Sequence, residues 1–409
     1  MPENPKLRPE LVIAPVEIQG EQLIFFQDPE HWCEEMVFVP VQFAPIIQYF
    51  TGEMSIRDIQ AGLMRESGEL LESGIIEKIA QEFDERRLLD SENFRAYVRK
   101  VTEEWERSEL RPALLAGQSY PKEAGELKSF LDQFYTGKDA PGLPAENRSN
   151  ELKGIIAPHI ELGPNGQAYA HAYKRLVEQS QAEVFLVLGT AHSLTGEFML
   201  FTEKNFETPL GVCRTDREFI RGVKKRLRKI SHAPDFPHRR EHSIELQILL
   251  LQHALAGKKE FGIVPVMVGS FQTMIELGSS PAEDMTVIDY VRAFREEIQA
   301  SGKKVCVIAS ADLAHLGPRY GDEDTYAPIR EDEIREDDEK MLGPLKSGDG
   351  EGFFQQVSAI EDRRKICGLS PIYMAYSILK PGRAELLQWS VAYDQQTRSA
   401  VSFCAMALY

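Results

Sequence analysis

The sequence predicts an α/β protein whose larger, C-terminal part is a mixed sheet flanked by helices, preceded by a small α+β unit. Three observations carry that prediction. From Lys153 onward, short apolar runs alternate with longer amphipathic segments, the texture of buried strands separated by helices. Before residue 100, two strand-like runs are followed by helical periodicity. At 409 residues the chain is too long for one ordinary domain of roughly 150 residues.

In the N-terminal part, Leu11 to Ile18 and Gln22 to Phe26 read as strands, and Gln19-Gly20-Glu21 between them suits a hairpin turn. Helical patterns follow over Pro45 to Phe50, Ser55 to Arg65 and about Glu69 to Leu89. The second places Ile56, Ile59 and Leu63 on one face. Ser55 with Asp58 three residues later marks its start, and Gly52 separates it from the helix before. Glu92 to Glu109 is charged nearly all round and is expected to be a linker helix.

In the C-terminal part, Gly154 to Ala157, Val184 to Gly189, Ile263 to Gly269 and Val305 to Ser310 are expected strands. Gln167 to Gln179, Asp216 to Lys229, Ser243 to Leu255 and Val287 to Ala300 are expected helices on both faces of their sheet. Leu386 to Tyr393 and Ala400 to Leu408 have no helix between them and predict an antiparallel pair in or beside that sheet.

Composition narrows the function. A net charge of -17, from 47 Lys and Arg against 64 Asp and Glu, argues against nucleic-acid binding, which rests on cations displacing counterions. No run of about 18 uncharged apolar residues predicts a membrane span, and Met1-Pro2-Glu3-Asn4-Pro5-Lys6 lacks a signal-peptide block. A cytoplasmic protein is expected. Cys33, Cys213, Cys306, Cys367 and Cys404 are odd in number and form no C-x-x-C pair, against a disulfide framework or structural zinc knuckle. Asp322 to Lys340 holds ten acidic and three basic residues; the run is expected to border the pocket mouth and disfavour anionic substrates.

Three predicted strands deliver a reactive side chain just past their last apolar residue: His159 after Ala157-Pro158, His192 after Thr190-Ala191, and Asp312 with His315 after Ser310. In open α/β sheets, ligands sit in the crevice beyond the carboxyl ends of strands. In Arg240-Glu241-His242-Ser243-Ile244-Glu245, His242 and Glu245 fall on one helix face, while Ser243 could serve as a plain N-cap. Cys367-Gly368 opens a helix from Pro371 to Leu379, where backbone donors are expected to lower the thiol pKa. Two imidazoles and a thiolate suit iron, copper or zinc. Asp312 and His315 then serve as orienting or acid/base groups.

Two resemblances sharpen these readings. Residues 6 to 98, above all Gly52-Glu53-Met54-Ser55-Ile56-Arg57-Asp58-Ile59, resemble the PqqD-like winged-helix modules that bind peptides beside radical-SAM enzymes. From Arg111-Pro112-Ala113-Leu114-Leu115-Ala116-Gly117-Gln118-Ser119-Tyr120-Pro121 to the C-terminus, the chain resembles the Memo family, known in bacteria as AmmeMemoRadiSam system protein B and related in fold to the LigB subunit of class III extradiol dioxygenases. The ordered motifs are Ala157-Pro158-His159, Leu188-Gly189-Thr190-Ala191-His192, Thr208-Pro209-Leu210-Gly211, Glu241-His242-Ser243-Ile244-Glu245, Val264-Pro265-Val266-Met267-Val268-Gly269, Ser310-Ala311-Asp312-Leu313-Ala314-His315 and Ile366-Cys367-Gly368. That resemblance implies a LigB/Memo-like fold with metal ligands His159, His192 and Cys367, surrounded by His242, Asp312 and His315. The chain departs from the family's "P-H-A-G-Y-x-Y-S-G" at Ile160 to Gly166, where Glu161 is added.

Together these readings divide the chain into a PqqD-like winged-helix module (1–98), a helical linker (99–110) and a Memo domain (111–409). The expected function is redox or oxygenase-type chemistry on a small organic or peptide-borne substrate, with one metal ion, iron or copper ahead of zinc, and a radical-SAM enzyme as partner. His315, Asp312 and His242 are the expected catalytic residues. A zinc- or Cys-dependent hydrolase and a non-catalytic binding scaffold are the alternatives.

Overall fold

In the computed structural model, contacts divide the chain into Met1–Arg107 and Ser108–Tyr409. The structure describes every residue except 1, 19, 31, 34–35, 69–71, 147–148, 194–195 and 230–232.

In the first unit, β1 (Val12–Ile18) and β2 (Glu21–Gln27) form the expected antiparallel hairpin. Gly20 turns it at φ +83°, a conformation that costs glycine nothing; Gln19 lies outside the described residues. A third strand, β3 (Val37–Pro40), pairs with β2. Its four residues, ending in proline, are too short for alternation to reveal. Helix α1 (Ile56–Ser67) starts with the expected box: Ser55 Oγ accepts from Asp58 N and Asp58 Oδ2 accepts from Ser55 N, each at 3.2 Å. Helix α2 (Ser73–Glu85) stops short of Leu89 because Arg87 turns to φ +63°; Glu69, its expected start, lies outside the described residues. Helix α3 (Glu92–Arg107) covers the stretch read as a linker. It sits within this unit, with Arg8 stacked 4.2 Å over Phe94 and Arg87 3.6 Å over Tyr97. Arg8 also grips Asp28 bidentately at 2.7 and 3.0 Å, wholly buried. Phe26 and Phe50 pack edge-on against Phe83 at the centre.

The second unit is built on an eight-stranded mixed sheet. Its parallel centre runs β4 (Gly154–Ala157), β8 (Val305–Ser310), β5 (Val184–Thr190) and β7 (Gly262–Val268), in that spatial order. These are the four strands the sequence predicts, and nearly every residue in them is buried. The short strand β6 (Met199–Phe201) adds antiparallel to β7. At the other side β11 (Ser399–Leu408) runs antiparallel to β4, to β9 (Asp312–Leu316) and to β10 (Ala384–Asp394). The C-terminal pair thus joins the sheet, as expected.

Helices cover both faces: α4 (Leu162–Gln179) and α6 (His242–Leu255) on one, α5 (Arg217–Arg226), α7 (Met285–Ser301) and α8 (Leu369–Leu379) on the other. Helix α4 starts five residues before its expected start. Pro164 falls in the first turn, where a missing N–H costs nothing, and Gly166 is packed so tightly that an added Cβ would lie 2.2 Å from the Phe134 ring. Among the described residues, no helix is long and apolar enough to cross a membrane.

Candidate metal centre

Strands β4, β5 and β8 end side by side, and the chain beyond each reaches one crevice. His159 follows β4 by two residues and is buried. Asp312, which opens β9 two residues after the end of β8, holds that connection by accepting from His159 N at 2.9 Å and Ile160 N at 3.3 Å. His192 follows β5 by two residues. Its ring stacks on His242, the first residue of α6, at a centroid distance of 4.6 Å and 27°. His159 meets both edge-on, at 5.0 and 5.4 Å. One donor atom from each of His159, His192 and His242 lies within 4.8 Å of the others, so the three could hold a metal ion.

Charge arranges their protons. Glu241, just before α6, is buried; burial alone would raise its pKa, but the hydrogen bond from His192 and neighbouring backbone donors hold it well below the usual carboxylate range. Its carboxylate receives His192 N at 3.1 Å and Ser243 N at 2.8 Å, and lies 3.0 and 3.3 Å from His192 Nδ1. An anion there puts the His192 hydrogen on Nδ1 and leaves Nε2 its lone pair, the arrangement that orients a metal-ligating histidine. His192 is the one imidazole of the three whose pKa is raised: burial lowers it, and Glu241 more than offsets that. Burial, followed by repulsion from His192 and His242, pushes His159 well down. Burial also lowers His242. Asp312 is pushed up to about 7 by burial.

Sequence comparison adds the family. The Memo-like protein family matches residues 111–407. This chain belongs to the Memo-like family. A MEMO1 family protein of Pyrococcus furiosus is 29% identical over 310 residues, covering 73% of this chain and 99% of the relative. One from Thermococcus kodakarensis is 30% identical, with 73% and 98% covered. A MEMO1 family protein of Aquifex aeolicus is 23% identical over 98% of this chain and 100% of its own length, so that alignment also takes in most of the N-terminal unit.

The opening motif of the Memo-like domain has a structural explanation. Arg111 is fully buried and pairs with Glu245, one turn into α6. Glu245 also accepts from Leu114 N at 2.9 Å, Leu115 N at 2.9 Å and the Tyr120 hydroxyl. It therefore anchors the domain's first segment and, although it shares a helix face with His242, does not line the cavity that His242 lines. Ser243 is not the N-cap: Glu241 is, and the Ser243 hydroxyl donates to Thr190 O at 3.1 Å.

Cys367 Sγ lies 3.4 Å from His159 Nε2. Two ligands of one tetrahedral ion stand about 3.5 Å apart given bonds of about 2.0 to 2.3 Å, so the thiol is within reach of an ion on His159. Its expected low pKa is overturned. Burial, then the charge on Asp312, pushes it well up. The donor counted on for the thiolate is spent elsewhere, since Gly368 N donates to Asp312 O at 3.1 Å. Gly368 is required there: a Cβ would stand 2.4 Å from Asp312 O.

His315 Nδ1 faces two carbonyls, Leu313 O and Lys365 O, both at 3.1 Å. Nδ1 therefore carries the hydrogen, and Nε2 is left as an acceptor. Burial lowers its pKa. His159, His192, His242, Asp312 and His315 all line one cavity of about 1080 Å³. Cys367 and His192 line a second, of about 270 Å³. The acidic run at 322–340 contributes nothing to the wall of the larger cavity; Asp322, Glu323, Asp324, Glu333 and Asp337 line a separate one. The expectation that it borders the pocket mouth is thus corrected.

Sequence reasoning missed Glu241, although it sits inside a motif already singled out; an acid directly before a helix start was the available signal. It also missed Gln247, whose amide donates to Pro158 O at 2.7 Å and Ser310 Oγ at 2.8 Å and ties α6 to two of the strand ends. No local signal marks that residue.

Proposed function

We propose that the Memo-like domain binds one metal ion on His159 and His192, completed by His242 and Cys367, and performs redox or oxygenase-type chemistry on a small organic or peptide-borne substrate. The observation that carries this reading is the buried Glu241 fixing His192 Nδ1 while His159 and His242 stay neutral beside it, three imidazoles in one cluster. Nitrogen donors with a nearby sulfur suit iron, copper or zinc; the redox reading takes iron or copper ahead of zinc. A bound ion would supply Lewis acidity and, for iron or copper, one-electron chemistry.

The chain's own residues do the rest. His315, which lines the large cavity with Nε2 left as an acceptor, takes a proton from the substrate. Asp312, with its pKa near 7, holds or returns a proton and fixes the His159 backbone. Glu241 orients His192. A peptide-borne substrate and a radical-SAM partner follow from the PqqD-like resemblance of the N-terminal unit, which as a winged-helix module would present the peptide. Its antiparallel sheet followed by helices supports that assignment.

A second reading has its own support: three clustered histidines with an open position also make the donor set of a zinc hydrolase. The test is anaerobic purification of the full chain without added metal, followed by metal analysis and absorption spectroscopy. About one iron or copper per chain, lost in His159→Ala and spectrally altered in Cys367→Ala, is expected. Tight zinc alone turns the assignment to the hydrolase. A His159→Ala, Cys367→Ala double variant that folds and keeps its biological role turns it to a binding scaffold.

A further inference from the structure

Among the described residues, the wall of the large cavity carries one cation outside the histidine cluster. Arg319 is the only lysine or arginine among the described residues that line it, and the turn that presents it is firmly built. Gly317 holds φ +103°, and a Cβ there would lie 2.8 Å from Ser399 Cα, so the turn is pressed against the hairpin joining β10 and β11. Arg319 N donates to Ser399 Oγ at 3.0 Å. The next residue, Tyr320, lays its ring edge-on to His315 at 5.0 Å. The backbone is thus pinned beside the proton acceptor of the site, while the side chain above it is 60% exposed.

The guanidinium itself is barely used. Among the described residues its one ion pair is a single contact of 3.4 Å to Asp394 Oδ2, and its central carbon stands 6.0 Å from the Tyr320 ring centroid. Asp394 is committed to its own turn, accepting from Gln396 N at 2.9 Å and Thr397 N at 3.3 Å through Oδ1. Arginine offers five N–H donors in a fork that fits carboxylate oxygens two at a time, so most of that capacity is unclaimed by the described residues at the cavity wall.

We infer that Arg319 is a specificity-determining residue that binds a carboxylate of the substrate and so places the adjoining carbon against His315 and the histidine cluster. This deepens the function proposed above and rests on it in taking the large cavity as the substrate chamber. The flanking charges select the anion. Asp394 and Glu161 line the same cavity and would repel a phosphate dianion more than a monoanion, and a chain of net charge -17 offers an anion little other attraction. The acidic run that argued against anionic substrates from sequence does not reach this wall.

The test uses the full chain, stripped of metal so that no ion competes for the ligand, and three matched probes: benzoate, benzamide and benzylamine, titrated by calorimetry. Benzoate is expected to bind the native chain most tightly, to lose at least tenfold in Arg319→Gln, and to keep or gain affinity in Asp394→Asn, which retains the turn acceptor. Benzamide should be indifferent to all three backgrounds. Equal unfolding midpoints for Arg319→Gln and the native chain guard against misfolding. Unchanged benzoate affinity in Arg319→Gln, a preference for benzylamine, or no benzoate binding each overturns the inference. Metal uptake is measured separately on the same proteins. A chain that takes no metal yet shows the Arg319 dependence sinks the metal reading alone, and the converse sinks this one alone.

Discussion

Glu241 and Glu245 sit four residues apart at the start of one helix, both almost completely buried, yet they belong to different parts of the molecule's work. Glu245 faces Arg111, a permanent cation, and three further donors at the domain's opening segment. Every partner is fixed in charge, so the cluster is a rivet. Glu241 faces His192 and His242, whose charge depends on protons or metal. The comparison teaches that residue type and burial do not assign a role to a carboxylate; the titratability of its partner does.

The largest expected effect is on the rivet. Arg111→Met leaves Glu245 buried beside its backbone donors without a counter-charge and should cost about 3 to 5 kcal/mol of unfolding free energy, read by urea titration. A loss under about 1 kcal/mol would show that the pair is dispensable. On the site side, Glu241→Gln should weaken metal affinity about 10- to 100-fold by removing the anion that orients His192. Glu245→Gln should lower stability while leaving the metal affinity of the folded protein within about threefold. If the two variants behave alike in a metal titration, the contrast between them collapses.

Protons sharpen it further. Metal must displace the proton that Glu241 helps His192 retain, so affinity should rise with pH through the raised His192 pKa, and Glu241→Gln should move that rise to lower pH. A flat profile would separate His192 from the ion. Asp312 acts with the opposite consequence for the metal-free fold. Its pKa rises from 3.8 to about 7 on folding, so the folded state binds the extra proton between those values. Its contribution to stability is complete below the unfolded pKa and declines as pH rises towards 7, by up to about 1.4 kcal/mol per pH unit. Asp312→Asn should remove that decline, measured as the difference between the two proteins' unfolding free energies from pH 4 to pH 7. The smallest effect lies far from either cluster: Ser55→Ala breaks the α1 capping box and should cost about 1 kcal/mol, with no change in metal binding.

Much of the site was legible because strand ends announce themselves. A buried parallel strand is a continuous apolar run, and the first polar residue past it has little choice but the crevice, which is why His159, His192 and Asp312 could be named together. Cys367 could be named but not its ionisation, because Gly368 N looks free in sequence and is spent on Asp312 O in space. Arg319 stands only seven residues past Asp312 but carries no periodic or motif signal; its place depends on Gly317 pressing the turn onto Ser399. Helix α4 hid its first five residues behind Gly163, Pro164 and Gly166, whose local propensities are poor; the close packing of Gly166 against Phe134 decides otherwise.

By itself the sequence determined the periodicities, and through them the four central strands, the helices beside them and the C-terminal strand pair, since side-chain spacing of 2 or 3.6 residues is a local property of the chain. It also supplied the ordered motifs of the Memo-like family. Only the tertiary structure decided which partner each buried charge meets. Glu241 reaches back 49 residues to His192, and Glu245 reaches back 134 residues to Arg111. Those partners set whether a carboxylate holds an imidazole in place for a metal or rivets two segments of the fold together.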